Sequence, residues 1–485
     1  MKKRNIALFC GLFLLASQLT GCNQTTSVQP EKEELKVEQT QDTTQKEDIK
    51  EEQEIKISVT DFPKETDPER YALAKKQLDE YHAKYPNITL EPTDWAYDIN
   101  SFLPKAASGQ LPTMYGTWFT EVNKIVDAGY AADITDIVKE WGYDKYLDPN
   151  MLEVLSKDGR IYGLPIGGYS VGVMYNTDLF KQAGLVDDGG NALIPQNFEE
   201  MAQFAQTITE KTGVPGFFFP TKSNQGGWMF TTLAWNFGAE FETFEDGKWK
   251  AVFNSPEAVQ ALQYIKDLRW KYNVLPDNLL VDYGDFFKYF GTGQVGMAFS
   301  TLDWLNNPVV DYKMDKDLVG MFGLPVGPAG EEGRGVLMGG TVRMFSPNAT
   351  PEEIDAVFKY LEITGYTPNA DPEVEKTLQE TVQADLAIDK IVGPYGLSPW
   401  GSGPRREAEI KILTENANVD MSKFENYLTH GMTDLRPEEP IATQELYKLL
   451  DSVVQTVLTD EKADPQKLLD QAVAEFQANY LDKQQ

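Results

Sequence analysis

From Glu54 to Thr60 the apolar residues Ile55, Ile57 and Val59 alternate with polar ones, the period of two of a half-buried strand. Asp67-Pro68 then opens a helix, with proline in the first turn and acids near the N-terminus. Its apolar stripe runs Tyr71, Ala74, Leu78, Tyr81 and Tyr85, spaced three and four apart. His82 lies beside that stripe as a surface or packing residue. Pro86-Asn87 stops the helix, and Ile88–Glu91 starts a second strand. Strand, helix and strand with short links predict a parallel βαβ unit. The alternation continues, with strands predicted at Met114–Thr117, Val171–Asn176, Pro215–Phe219, Val295–Ser300 and Val336–Met344. Helices are predicted at Thr120–Ala128, Thr177–Gly184, Phe198–Thr212, Pro256–Tyr272, Pro351–Ile363, Leu446–Thr459 and Pro465–Tyr480. No internal repeat of fixed period interrupts this order. The expected fold class is α/β, in two lobes.

The first residues follow a different pattern. Lys2, Lys3 and Arg4 precede an apolar run from Ile6 to Leu19, which falls short of the about 20 residues a bilayer core requires. A basic start and a short apolar stretch read as a secretory signal. The run ends in Leu19-Thr20-Gly21-Cys22, which resembles the lipobox of bacterial lipoproteins. That resemblance implies a signal peptide over 1–21, a lipidated thiol at Cys22, and a membrane anchor through the N-terminal lipid. Residues 22–54 then read as an acidic, disordered tether: over 23–54 ten acids and four bases give a charge of −6, with little that is aromatic or branched.

Composition narrows the function. A chain of 485 residues exceeds what a single core of ~250–300 residues accommodates. The net charge of −31 repels phosphate backbones and anionic headgroups, so no nucleic-acid partner is expected. Two histidines, His82 and His430, and two cysteines, Cys10 and Cys22, leave disulfide frameworks and zinc sites without ligands. No Walker lysine motif or dinucleotide fingerprint occurs, so no cofactor is expected. Asp311, Asp315 and Asp317 lack the glycine and terminal glutamate of an EF-hand and read as a solvated loop.

Several segments, taken in order, resemble a known family. Ser108-Gly109-Gln110-Leu111-Pro112-Thr113-Met114, then Trp118, then Gly129-Tyr130-Ala131-Ala132-Asp133-Ile134 form the first block. Gly159-Arg160-Ile161-Tyr162-Gly163-Leu164-Pro165 with Tyr175–Phe180 form the second. Gly293-Gln294-Val295-Gly296-Met297-Ala298 with Trp304, and Val336–Asn348 with the helix from Pro351, complete the set. Together they resemble the extracellular solute-binding proteins of sugar ABC transporters, the maltose-binding-protein-like family. Thr113 departs from the family's usual aspartate, and Tyr283–Phe290 is unusually aromatic. The resemblance implies two α/β lobes, a hinge and an interlobe ligand cleft. One lobe is expected over 55–168 with 340–400, and the second over 169–339 with 401–485. Chain crossings are expected at Pro165–Val171 and Val336–Val342, where Gly167, Gly168, Gly339 and Gly340 serve as hinge or bulge residues. It implies a monomeric receptor on the extracellular face of a cell membrane, as in a Gram-positive bacterium, serving permease subunits driven by a separate ATPase.

Sugar chemistry selects the candidate residues. A pyranose offers an apolar C–H face to an aromatic ring and a rim of hydroxyls to polar side chains. Trp118 follows a strand end, Tyr169 sits at the first crossing, and Trp304 with Asp303 follows a strand. Trp228 follows Asn224-Gln225-Gly226-Gly227, a loop composition, and Trp400 lies in the Gly-, Ser- and Pro-rich stretch Leu397–Pro404. Asn224, Asp303 and Arg343 supply polar groups, and Gly340 a close approach of backbone. For each ring, packing is the alternative to ligand contact. Gly168-Tyr169-Ser170-Val171-Gly172 matches a nucleophile elbow, but the residues after the serine read as strand and only His430 follows it. A non-catalytic carbohydrate receptor is therefore expected, its alternatives being a peptide or polyamine receptor and an anchored glycoside hydrolase.

Overall fold

The computed structural model describes residues 54–483, apart from 61, 66, 67 and 331–334. The basic start, the apolar run, Cys22 and the tether up to residue 53 lie outside the described residues. Strand β1 (Ile55–Val59), helix α1 (Pro68–Lys84) and strand β2 (Ile88–Pro92) form the predicted unit, with Ile55 paired to Ile88 in parallel register. Tyr81, from the α1 stripe, is fully buried and its hydroxyl donates to the Ala356 carbonyl at 2.7 Å.

Two long strands organise the rest. After β3 (Met114–Trp118) comes β4 (Gly163–Asn176), then β5 (Phe217–Phe218), helix α2 (Gln225–Phe237), helix α3 (Tyr283–Gly291) and β6 (Met297–Thr301). The chain continues through β7 (Val319–Gly323), β8 (Val336–Phe345), helix α4 (Pro351–Ile363), β9 (Leu435–Pro437) and helix α5 (Thr443–Thr459). Among the described residues the main sheet runs β2-β1-β3-β8-β4-β6-β5, with β7 also on β4 and β9 also on β8. One end of β8 pairs with β3, Phe345 opposite Met114 and Thr341 opposite Trp118. The far end of β4 pairs with β6 and β7, Tyr175 lying opposite both Met297 and Gly320. The stretch read as a crossing followed by a strand is thus one uninterrupted β4.

Each end of the sheet has its own core. On one side Ile57, Tyr81, Leu90, Phe345, Val357 and Trp400 pack together, and Tyr115, Ile125 and Val342 pack in a neighbouring cluster. On the other, Val173, Met201, Phe217, Phe299, Val454 and Phe476 belong to one larger core, which also takes in Ile391.

One local expectation fails. Asn224-Gln225-Gly226-Gly227 is not an exposing loop, because α2 starts at Gln225 and runs through both glycines. A Cβ on Gly227 would overlap the backbone of Tyr447 in α5. Gly227 lets two helix backbones touch, and Gly226 leaves room for the Asp451 carboxylate and the Thr221 backbone, contacts that local turn propensity does not report.

Candidate functional site

Where β4 and β8 run side by side between the cores, Tyr169 pairs with Gly339, Gly168 with Gly340, and Gly167 with Thr341. The register then slips, since Val342 pairs with Pro165 and leaves Ile166 as the extra residue. Side chains alternate between the faces of such a ribbon. On one face, a Cβ on Gly168 would overlap Met151, and one on Gly340 would lie 2.6 Å from the Phe119 ring. On the other face a Cβ on Gly339 would overlap the Tyr169 ring. None of Gly167, Gly168, Gly339 and Gly340 has a positive φ. At Gly168, Gly339 and Gly340, then, the requirement is for space. The ribbon does carry a bulge, but at Ile166, beyond the Thr341 pair and at none of the four glycines.

The face carrying Tyr169 and Thr341 opens on a crevice of about 560 Å3. Thr60, Thr93 and Gly116–Trp118 line it, so it lies beyond the carboxyl ends of the parallel strands β1, β2 and β3, where open α/β sheets hold ligands. Ile166, Thr341 and Arg343 close its base. Trp118 is 45% exposed, with the Tyr97 ring 5.4 Å away at a steep angle. Thr117 is 4% exposed, yet its Oγ1 and the Nε1 of Trp95 are buried without a protein hydrogen-bond partner. Buried polar atoms are rarely left so, and two beside one crevice mark a wall suited to a polar occupant. The Arg343 guanidinium lies 5.3 Å over the Tyr366 ring.

Beyond Tyr169 the second lobe presents an aromatic surface. Trp304 ends a short 3-10 turn, Leu302–Trp304, directly after β6. Its ring centroid lies 4.5 Å from Tyr283, 5.6 Å from Phe287 and 5.8 Å from Trp228. Trp228 in turn stands 5.9 Å from Tyr169, so the rings run from the crossing strands to α3. Carboxylates border this run. Asp303 keeps an exposed edge, but the protein crowded around it raises its pKa by desolvation. Glu438 accepts from the Tyr447 hydroxyl at 3.0 Å, and burial foremost, then the Glu121 charge, push its pKa up to about 7. The indole N–H of Trp228 is close enough to favour the ionised Glu438, though it makes no hydrogen bond of good geometry. The Tyr169 phenol is raised well above its usual value by burial first, then by Glu438 and Asp303.

The sequence-predicted residues therefore separate. Tyr169, Trp228, Asp303 and Trp304 gather on the second wall; Trp118 and Arg343 border the crevice, and Gly340 lies within the ribbon. Asn224 stands behind the start of α2: its N–H donates to Asp451 and its amide to Gln444, which reaches Thr120 at 3.4 Å. Trp400 is 2% exposed in the first core, 5.2 Å from Tyr143 and 4.9 Å from Tyr366, and is placed for packing. Tyr97, Thr117, Glu121, Tyr283, Phe287 and Glu438 were not predicted. The aromatic density of 283–290 signalled two of them, whereas nothing distinguishes Glu438 among 75 acids. Ser170 is buried inside β4, its Oγ 2.9 Å from the Tyr427 hydroxyl, so the strand-turn-helix of an elbow is absent there.

This cleft sits in a recognisable body. Residues 64–362 match the model of the bacterial extracellular solute-binding protein family. The chain belongs to that family. Among its relatives is the arabinooligosaccharide-binding protein of Bacillus subtilis (strain 168), 24% identical over 361 residues, 71% of this chain and 73% of that protein. A putative binding protein of Brucella abortus (strain 2308) is 25% identical over 319 residues, 64% and 72% of the two chains. Maltose-bound MalE3 of T. maritima superposes with a TM-score of 0.63 at 20% identity, over 87% of this chain and 99% of that one. UgpB from Mycobacterium tuberculosis, in complex with glycerophosphocholine, gives 0.63 at 16% identity over 88% and 98%. The two-lobed solute-binding fold expected from the sequence motifs is the fold found. These solute-binding relatives also show one architecture holding chemically different ligands, so the ligand must be argued from the walls of the cleft.

Proposed function

We propose that this solute-binding protein captures a carbohydrate, an oligosaccharide, between its two lobes and delivers it to an ABC permease powered by a separate ATPase. The observation that carries the reading is the run Tyr169–Trp228–Trp304–Tyr283 on one wall together with exposed Trp118 on the other. Rings on both walls cover the apolar faces of successive sugar units, while Asp303, Glu438 and Arg343 supply acceptors and donors for hydroxyls. The arabinooligosaccharide-binding relative and the lactose-binding protein of Rhizobium radiobacter support that class. Titration calorimetry against a panel of neutral oligosaccharides tests it, with a linear polyamine as the contrasting probe. Carboxylates beside rings also suit an ammonium group, so binding of the polyamine alone overturns the carbohydrate reading.

The proposal includes motion. Residues 55–168 with 340–400 and 169–339 with 401–485 close as two bodies, the ligand biasing the closed state. With saturating ligand, small-angle scattering is expected to give a smaller radius of gyration; an unchanged value removes closure from the mechanism. A chain starting near residue 54 is expected to bind with the same affinity.

The anchor is tested separately. Cys22 is proposed as the lipidated residue that holds a monomer on the extracellular face of the membrane. Cys22→Ala is expected to release the protein into the medium or leave it unprocessed. Unchanged membrane retention with unchanged palmitate labelling overturns the assignment.

A further inference from the structure

We propose that the chain carries a second ligand site, for a primary ammonium group, on the face of the β4–β8 ribbon away from the crevice. The inference rests neither on the carbohydrate reading nor on lobe closure.

The site is a cavity of about 590 Å3. Side chains alternate along a strand, so positions 338 and 340 of β8 face one way and 339 and 341 the other. Thr341 borders the crevice, whereas Met338 lines the cavity together with Phe119, the ring that a Cβ on Gly340 would meet. The cavity also takes in one face of a hairpin, Glu242–Glu245 paired with Lys248–Ala251. Glu242 pairs with Ala251 and Phe244 with Trp249, so these four share a face. Lys248 and Lys250 point to the other face, where Lys250 is paired with Glu245 at 2.6 Å. Glu242 and Trp249 are the hairpin residues that line the cavity.

Glu242 carries the argument. It is 7% exposed, and one of its oxygens accepts from the Ile441 N–H at 3.1 Å. Its other oxygen, Oε1, is buried without a hydrogen-bond partner. A half-satisfied carboxyl in a cavity wall is uncommon and suits an incoming donor. Burial foremost, then the Glu439 charge, push its pKa up to about 9, so the empty site keeps a proton on Glu242. An arriving ammonium takes the place of that proton, which leaves to solvent.

The surroundings favour a cation. Among the described residues the cavity is lined by four carboxyls, Glu153, Glu242, Glu438 and Glu439, and by one cation, Arg436. Arg436 is already engaged by Glu240 at 2.5 Å and Glu439 at 3.3 Å, with its guanidinium over the Trp235 ring. Glu439 also accepts from the Trp235 indole at 2.9 Å, and Glu438 from the Tyr447 hydroxyl at 3.0 Å. Glu153 stands exposed at the rim. The Trp249 ring lies 5.2 Å from Phe244, which is 61% exposed, so the same hairpin face offers two rings beside a carboxyl. Aromatic faces attract ammonium groups, and the carboxyl neutralises them. Among the described residues no three acids converge as metal ligands, which leaves an organic cation as the occupant.

Titration calorimetry of the full chain with butylammonium chloride tests this, with potassium chloride at equal concentration as the control. Near pH 7.5 the amine is fully charged. Saturable binding to one site is expected for the amine and not for potassium. Glu242→Gln keeps the shape of the side chain and replaces a carboxyl that is already neutral, so its melting temperature is expected to stay unchanged. Its affinity for butylammonium is expected to fall by about tenfold or more. Trp249→Ala is expected to weaken binding by about two- to fivefold. Trp304→Ala, on the crevice side, is expected to bind the amine as the wild type does.

The absence of saturable heat, or equal heats from potassium, overturns the proposal. So does a Glu242→Gln protein that binds the amine normally. Loss of amine binding in Trp304→Ala but not in Glu242→Gln places the ammonium in the crevice, which also overturns it. Failure of the carbohydrate reading appears in the oligosaccharide titrations and leaves these results standing.

Discussion

Trp304→Ala is expected to weaken ligand binding by about 30-fold or more, the effect of removing an anchoring ring of ~2 kcal/mol. Trp304 ends a turn at the carboxyl end of β6 and is only half-buried, so part of its ring is available to an occupant of the cleft. Its inner surface rests on Tyr283 and Phe287, and lost ring contacts of this kind are worth about 0.5–1.5 kcal/mol each. The ligand-free thermal midpoint is therefore expected to fall modestly. Calorimetry and a melting curve on the same variant separate the two contributions. A strongly destabilised protein of normal affinity would remove Trp304 from the ligand contacts.

The opposite result is expected at Trp400. Enclosed by Tyr143 and Tyr366 and tied through its neighbour, whose carbonyl accepts from the Asp148 N–H at 2.8 Å, it has no surface to offer a ligand. Trp400→Ala leaves a large cavity in the first core and is expected to cost about 3–5 kcal/mol of stability. Affinity, measured on the fraction that remains folded, should stay within about twofold. A loss of affinity comparable to that of Trp304→Ala, with little loss of stability, would return Trp400 to the ligand site.

The positions of these two tryptophans also mark how far sequence reading reaches. The unit β1–α1–β2 was legible because its information is local: alternation, a stripe at helical spacing, and proline at each boundary. Trp304 was legible for a related reason, since a ring just after an apolar strand falls at the strand's carboxyl end. Trp400 was misplaced because a stretch rich in Gly, Ser and Pro reads as a surface loop, whereas residues far away in sequence, Tyr143 and Tyr366, bury it. Gly227 misled in the same way, its partner being the backbone of α5 more than 200 positions on. Glu438 carries no local signal. Its character comes from Tyr447, Trp228 and Glu121, which the fold alone brings to it.

The two lobes share a single hydrogen-bonded ribbon, in which β4 stays paired with β8 from Gly163 to Ser170 apart from the slip at Ile166. A body joined in this way has no free pivot. It can change its angle only by flexing a two-stranded spring, whose resting shape is set by strand twist and by the extra residue at the slip. The spring gives the empty protein a preferred gape and an elastic restoring force. A ligand then works against, or with, a stiffness already fixed in the backbone. Inserting or deleting one residue at this slip would reset that gape.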